Sequence, residues 1–135
     1  MKYCVSCNCG NVEVSVNFPH PIEKYQAREC NCDFCRANGL AYLSDPNGTL
    51  SLTAKDPMKQ LKQGSLQATF WQCARCMDIV AVTHSNHKET KGAVCKKLFE
   101  AKYLVQPSVC VSPKDLTPTE KLNRWNAAWS TVIDT

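Results

Sequence analysis

The chain has 135 residues, 44 % of them apolar and 21 % charged, with a formal net charge of +4 and 10 cysteines. That length suits a single domain over 1–135 with a core of its own, and the apolar-to-charged balance excludes intrinsic disorder. No apolar run reaches the ~20 residues that a bilayer span needs. The opening MKYCVSCNCG lacks the apolar centre of a signal peptide, so the chain reads as cytoplasmic, with reduced thiols and no membrane partner.

In chain order, the first clear element is NVEVSVNF, where Val12, Val14, Val16 and Phe18 alternate with polar residues. Period-2 alternation predicts a strand with one buried face, and Pro19 and Pro21 end it. Short strands are expected at 23–29, 39–44, 49–54, 65–72, 78–84 and 92–99, separated by turn signals such as DPNG at 45–48 and Gly64. The fold class is therefore mostly β and mostly antiparallel. The end of the chain changes character. Thr117 can cap, Pro118 suits the first helical position and Glu120 completes a capping box. Leu122, Trp125, Trp129 and Val132 then recur at helical spacing, which predicts an amphipathic C-terminal helix over about 118–133 that packs on the core rather than serving as a binding platform.

The cysteines decide the rest. Cys7 and Cys9 form one Cys-x-Cys pair; Cys30, Cys32 and Cys35 crowd into ECNCDFCRANG; Cys73 and Cys76 form Cys-x-x-Cys; Cys4, Cys95 and Cys110 stand apart. A Cys-x-Cys disulfide closes a small strained ring, so in a reducing compartment these clusters point to metal, and to zinc in particular. Cys7 and Cys9 with Cys73 and Cys76 would make one closed four-cysteine site. Cys30, Cys32 and Cys35 would then hold a second ion with one position open, the arrangement of catalytic zinc. Spacing by itself leaves other pairings open, including closure of the second site by Cys4, Cys95, Cys110 or a histidine. Bound cysteines are thiolates, so two filled sites bring the formal charge down to about +1, which removes most of the case for a nucleic-acid partner.

The order SCNCG, then CNCDFCRANG, then FWQCARC, with the late VSPKDLTPTEKLNRW, resembles the glutathione-dependent formaldehyde-activating enzyme family, which includes the centromere protein V relatives, over most of the chain. The resemblance implies a β-tent of small antiparallel sheets stapled by zinc. It implies Cys7, Cys9, Cys73 and Cys76 as structural zinc ligands, and Cys30, Cys32 and Cys35 as ligands of the second zinc, associated with glutathione and catalysis. The implied reaction is addition of the glutathione thiol to formaldehyde or a related small aldehyde, giving S-(hydroxymethyl)glutathione, formally a carbon–sulfur lyase working in reverse. The chain departs from the family pattern at Met77, where glycine is expected and the local turn is in question, at Asp33 in place of a frequent serine, and at Cys95 in place of a frequent asparagine.

Other residues read more plainly. Arg36 flanks the triad and is a candidate partner for a glutathione carboxylate. Cys95, in GAVCKKLF, reads as a small buried residue on a strand. His84 and His87 suit a polar loop between strands, and His20, between prolines, faces solvent. The competing reading for the whole chain is a zinc-stapled module without catalysis that contacts nucleic acid or protein, with Lys55, Lys59 and Lys62 as a candidate patch.

Overall fold

The computed structural model describes residues 1–30, 33–62, 67–85, 88–111 and 116–133, with the side chains of Cys30, Asp33, Phe34 and Val111 outside that description. Among the described residues the chain forms one mixed, 11-stranded sheet. Its elements are β1 (Lys2–Ser6), β2 (Val12–Asn17), a single 3-10 turn (Ile22–Lys24), β3 (Arg28–Cys30), α1 (Asp33–Asn38), β4 (Ala41–Leu43), β5 (Thr49–Ala54), β6 (Lys59–Lys62), β7 (Thr69–Gln72), β8 (Ile79–Ser85), β9 (Thr90–Cys95), α2 (Lys97–Glu100), β10 (Val109–Val111), α3 (Pro118–Ala128) and β11 (Ser130–Val132). The strand order runs β1-β2-β5-β11-β9-β4-β3-β10, and β8, β7 and β6 branch in turn from β9.

The alternating stretch behaves as its period demands. Val12, Val14, Val16 and Phe18 are buried, and β2 pairs antiparallel with both β1 and β5. Antiparallel pairing predominates, but β11 runs parallel to β5 and β10 parallel to β3. Expectation and structure differ at element ends and in four elements that were not expected, β1, α1, β6 and β10. The 23–29 stretch is split, because Pro21 starts a 3-10 turn and only Arg28–Cys30 extends. The 92–99 stretch ends as a strand at Cys95 and becomes the short helix α2. Strand β6 was not foreseen: KQLK is an edge strand bonded to β7 alone, and lysines suit an edge that must not recruit another chain. Lys59 and Lys62, two members of the candidate basic patch, lie on that edge.

The C-terminal helix is real but shorter than expected. Thr117 and Glu120 exchange side-chain and backbone hydrogen bonds as a full capping box, with Pro118 in the first turn. The helix stops at Ala128, and Trp129 turns extended. After Ser130 the β-branched residues Thr131, Val132 and Ile133 favour a strand, and β11 inserts between β5 and β9. Val132 therefore belongs to a strand, not to the helical stripe.

Two packed clusters lie on opposite sides of β8 and β9. The first gathers Val5, the valines of β2, Phe18, Ile22, Leu43, Leu50, Val80, Val94 and Phe99, together with Cys7 and Cys73. The second gathers Cys35, Leu40, Phe70, Ile79, Val82, Cys95 and Trp129, with Tyr42 and Trp125 packed against it. Residues 79–83 of β8 and 91–95 of β9 are buried without alternation, as in a strand covered on both faces. Trp125 and Trp129 stack at 4.9 Å over the second cluster, so the tryptophans pack, as expected. No described helix is long and apolar enough to cross a membrane.

Candidate metal centre

Four thiols converge where β1 turns into β2 and β7 turns into β8. The Sγ atoms of Cys7, Cys9, Cys73 and Cys76 all lie within 4.8 Å of one another, with Cys7–Cys9 at 3.7 Å and Cys9–Cys73 at 3.6 Å. A tetrahedral ion with metal–sulfur bonds of ~2.3 Å places its sulfurs ~3.8 Å apart, so the four residues fit one such ion.

The two turns are built alike. In each, the first cysteine N–H donates to the carbonyl five residues on: Cys7 to Val12 at 3.0 Å and Cys73 to Asp78 at 2.9 Å. In each, the residue directly after the second cysteine has positive φ, 79° at Gly10 and 65° at Met77. The turn that the glycine-for-methionine difference put in question is therefore kept, with Met77 forced into the left-handed region. Its N–H donates to the Cys73 carbonyl at 3.0 Å, and its carbonyl accepts from Gln72 Nε2 at 2.9 Å.

Donors surround the sulfurs. Cys73 Sγ accepts from the Arg75 N–H at 3.4 Å and from Asn11 Nδ2 at 3.5 Å, and Cys7 Sγ accepts from the Val12 N–H at 3.4 Å. Burial opposes ionisation of Cys73, but the Cys76 and Arg75 N–H groups and the Asn11 amide outweigh it and bring the thiol down to about 6. Burial pushes Cys76 up to about 12, and the neighbouring Cys9 and Cys7 sulfurs add to the rise. Sulfurs this close can all be thiolates only around a cation, which is what the donor set is suited to hold.

Two residues that hold this centre were not singled out in the sequence. Asn11 is buried; its amide also donates to the Asp56 carbonyl at 3.2 Å and accepts from the Asp56 N–H at 2.8 Å. Asp78 accepts from the Asn8 N–H at 2.8 Å and from Lys97 Nζ at 3.0 Å, which lashes both cysteine turns to α2. Backbone N–H contact and the lysine hold its carboxyl below the usual range although burial acts the other way. The signal for Asn11 was its place directly after SCNCG; nothing local marks Asp78.

The triad sits elsewhere. Cys30 ends β3, Cys32 lies outside the described residues, and Cys35 is in α1, buried against the second cluster with its Sγ 3.6 Å from the Tyr42 hydroxyl. Helix α1 ends at Gly39 with φ 62°, where the Leu40 N–H reaches back to the Cys35 carbonyl at 3.0 Å. Arg36 is exposed in the last turn of α1. Of the single cysteines, Cys4 and Cys110 are exposed on β1 and β10. Cys95 is buried on β9 opposite Tyr42, as expected, and burial raises its thiol far above the ordinary value, which suits an inert residue. His84 lies not in a loop but on β8, its ring 5.6 Å from that of Trp125 and tilted 50° to it, and His87 lies outside the described residues.

No family model matches the chain, and no curated protein matches it. A crystal structure of a Rhodobacter sphaeroides protein, solved as a Northeast Structural Genomics target, is similar over 81 % of this chain and 100 % of its own, with a TM-score of 0.55 and 24 % identity. At that identity the likeness speaks for the fold alone.

Proposed function

We propose that this chain is a two-zinc protein of the carbon–sulfur lyase type, in which zinc at Cys7, Cys9, Cys73 and Cys76 is structural and zinc at Cys30, Cys32 and Cys35 serves the addition of the glutathione thiol to formaldehyde or a related small aldehyde. The observation that carries the reading is the separation of the two cysteine groups. Cys7 and Cys73 are buried in the first cluster and Cys35 in the second, on the other side of β8 and β9. One ion cannot serve both. The resemblance of the three motifs to the formaldehyde-activating family supplies the chemistry.

A zinc ion held by three thiolates supplies a Lewis acid that lowers the pKa of a fourth, exchangeable thiol. In the addition, the glutathione sulfur bonds to the aldehyde carbon, the C=O π pair moves to oxygen, and that oxygen takes up the proton given up by the thiol. The chain's own part is positional. The Tyr42 hydroxyl contacts Cys35 Sγ and holds it at the second cluster, while exposed Arg36 is open to a glutathione carboxylate.

Native mass spectrometry of protein purified without chelator tests the metal part. Two zinc ions per wild-type chain and one in Cys32→Ser are expected, with glutathione binding lost in the variant. A single zinc in both forms, or glutathione affinity untouched by Cys32→Ser, overturns the reading.

A further inference from the structure

A polar cleft of about 140 Å³ opens where β3, β4 and the end of β9 meet α2. Leu40 and Cys95, both buried, form its apolar side. Around them stand Glu29 on β3, Lys96 and Lys97 where α2 begins, Glu100 where it ends, and Ser108 ahead of β10. Gly39 borders the cleft, and a Cβ built there would meet nothing within 4 Å, so the space before its backbone is open. Every residue of this lining lies outside the segment from Cys30 to Cys35. The volume suits one amino-acid-sized group, well below the ~300–1,000 Å³ of drug-sized pockets.

The charges in the cleft are not matched to one another. Lys97 Nζ is committed to Asp78 at 3.0 Å. Lys96 stands four residues before Glu100, a spacing at which helical side chains can pair. Its Nζ donates instead to Ser108 Oγ at 3.0 Å, and the remaining donors of that half-buried ammonium have no partner among the described residues. Glu29 and Glu100 likewise have neither a cation nor a hydrogen-bond donor among the described residues. A simple anion would meet Lys96 but also two carboxylates, and a simple cation would meet the glutamates but also two lysines. A group that carries both charges a bond or two apart satisfies both sides through charge-assisted hydrogen bonds. The ammonium and carboxylate of an α-amino acid are such a group.

We propose that this cleft binds an α-amino-acid group, its carboxylate on Lys96 Nζ and Ser108 Oγ and its ammonium on Glu29 and Glu100. Ser108 Oγ accepts from Lys96, which leaves its own proton for the carboxylate. The group has two sources, a free amino acid or the γ-glutamyl end of glutathione. Only the second source rests on the lyase reading; the cleft and its unmatched charges stand without it.

The test is calorimetric titration of zinc-loaded protein at neutral pH with L-glutamine, whose γ-amide copies the γ-glutamyl linkage and which has no thiol to reach a metal. Saturable binding is expected, weakened roughly tenfold or more when the ammonium is blocked in N-acetyl-L-glutamine or the carboxylate is blocked in the α-amide. Glu100→Gln should weaken L-glutamine and erase its advantage over the N-acetyl compound. Lys96→Gln should weaken it and erase its advantage over the α-amide. Lys102→Gln, exposed and outside the cleft, should change nothing. Glu100→Gln removes no contact that holds the fold, so an unaltered melting temperature assigns its effect to the cleft. S-methylglutathione, with its sulfur blocked, distinguishes the sources: tighter binding than L-glutamine supports the peptide, and equal or weaker binding supports a free amino acid. No saturable binding of either probe at millimolar concentrations overturns the proposal, as does equal binding of L-glutamine and its two blocked derivatives, or binding indifferent to both Lys96→Gln and Glu100→Gln. Failure of the lyase reading looks different: glutathione affinity untouched by Cys32→Ser would remove that reading and leave L-glutamine binding in place.

Discussion

Met77 carries a cost that its counterpart Gly10 avoids. Both follow the second cysteine of a turn in the four-thiol cluster and both have positive φ, but a side chain in that region costs about 1–2 kcal/mol, partly offset by the extra entropy that glycine loses on folding. Met77→Gly should therefore stabilise the protein by about 1 kcal/mol or less in denaturant titration, with metal content unchanged. Asn11 works in the opposite direction. Its amide satisfies both backbone groups of Asp56 and donates to Cys73 Sγ, so Asn11→Ala leaves partly buried polar groups unpaired and should cost about 1–3 kcal/mol, together with faster metal loss to a chelator. At this scale the sequence was most legible where chemistry is local. Cysteine spacing offered Cys7, Cys9, Cys73 and Cys76 as one group while leaving other pairings open, and the structure brings these four thiols together. Asp78 was not legible, because it acquires its role from Asn8, 70 residues away in the chain.

At the scale of elements, legibility followed the strength of the repeating pattern. The valine alternation of β2 and the capping box of α3 are local physics and came through. Strand β11 did not, because Leu122, Trp125, Trp129 and Val132 keep helical spacing through the point where STVI turns extended. What holds that turn is Ser130, fully buried, whose hydroxyl accepts from the Asp45 N–H at 3.0 Å and donates to the Asp45 carbonyl at 2.8 Å. Ser130→Ala should cost about 1–3 kcal/mol by orphaning both groups, read as a shift of the denaturation midpoint at constant slope. The same turn at Asp45 is tied on its other side to Tyr25, whose hydroxyl donates to Asp45 Oδ2 at 2.7 Å. Burial first, and that hydrogen bond second, push Tyr25 from 10.0 up to about 12. A phenol raised in the folded state stabilises it fully below the unfolded value, and that contribution disappears as pH climbs through the folded one. Wild-type stability should then fall between pH 10 and about 12, and Tyr25→Phe should flatten that part of the curve.

For the molecule as a whole, the four-thiol centre joins β1–β2 to β7–β8, segments separated by some sixty residues. Because ligands so placed do not meet in an unfolded chain, binding free energy is folding free energy. Metal removal by a strong chelator under reducing conditions should lower the melting temperature and release amide protection first in the turns after Ser6 and Gln72, as followed by hydrogen exchange. Protection lost uniformly, or not at all, would mean the centre is not what fastens these turns. The general class of fold, mostly β with a helix at the end, was legible from composition and turn signals. The mixed pairing was not, because a parallel neighbour leaves no mark on a three-residue strand.

The place of β11 has a consequence for how the chain is made. It lies between β5 and β9, so the sheet is joined there by a segment that leaves the ribosome after both of its neighbours. At about 5–20 residues per second, β5 and β9 spend seconds as facing, unsatisfied edges with a gap one strand wide. A nascent chain in that state is a template waiting for any extended peptide, its own or a neighbour's. The order of synthesis thus opposes the order of the sheet. Production of this protein should depend on keeping that gap empty, with a holding chaperone for instance, until residues 130–132 arrive.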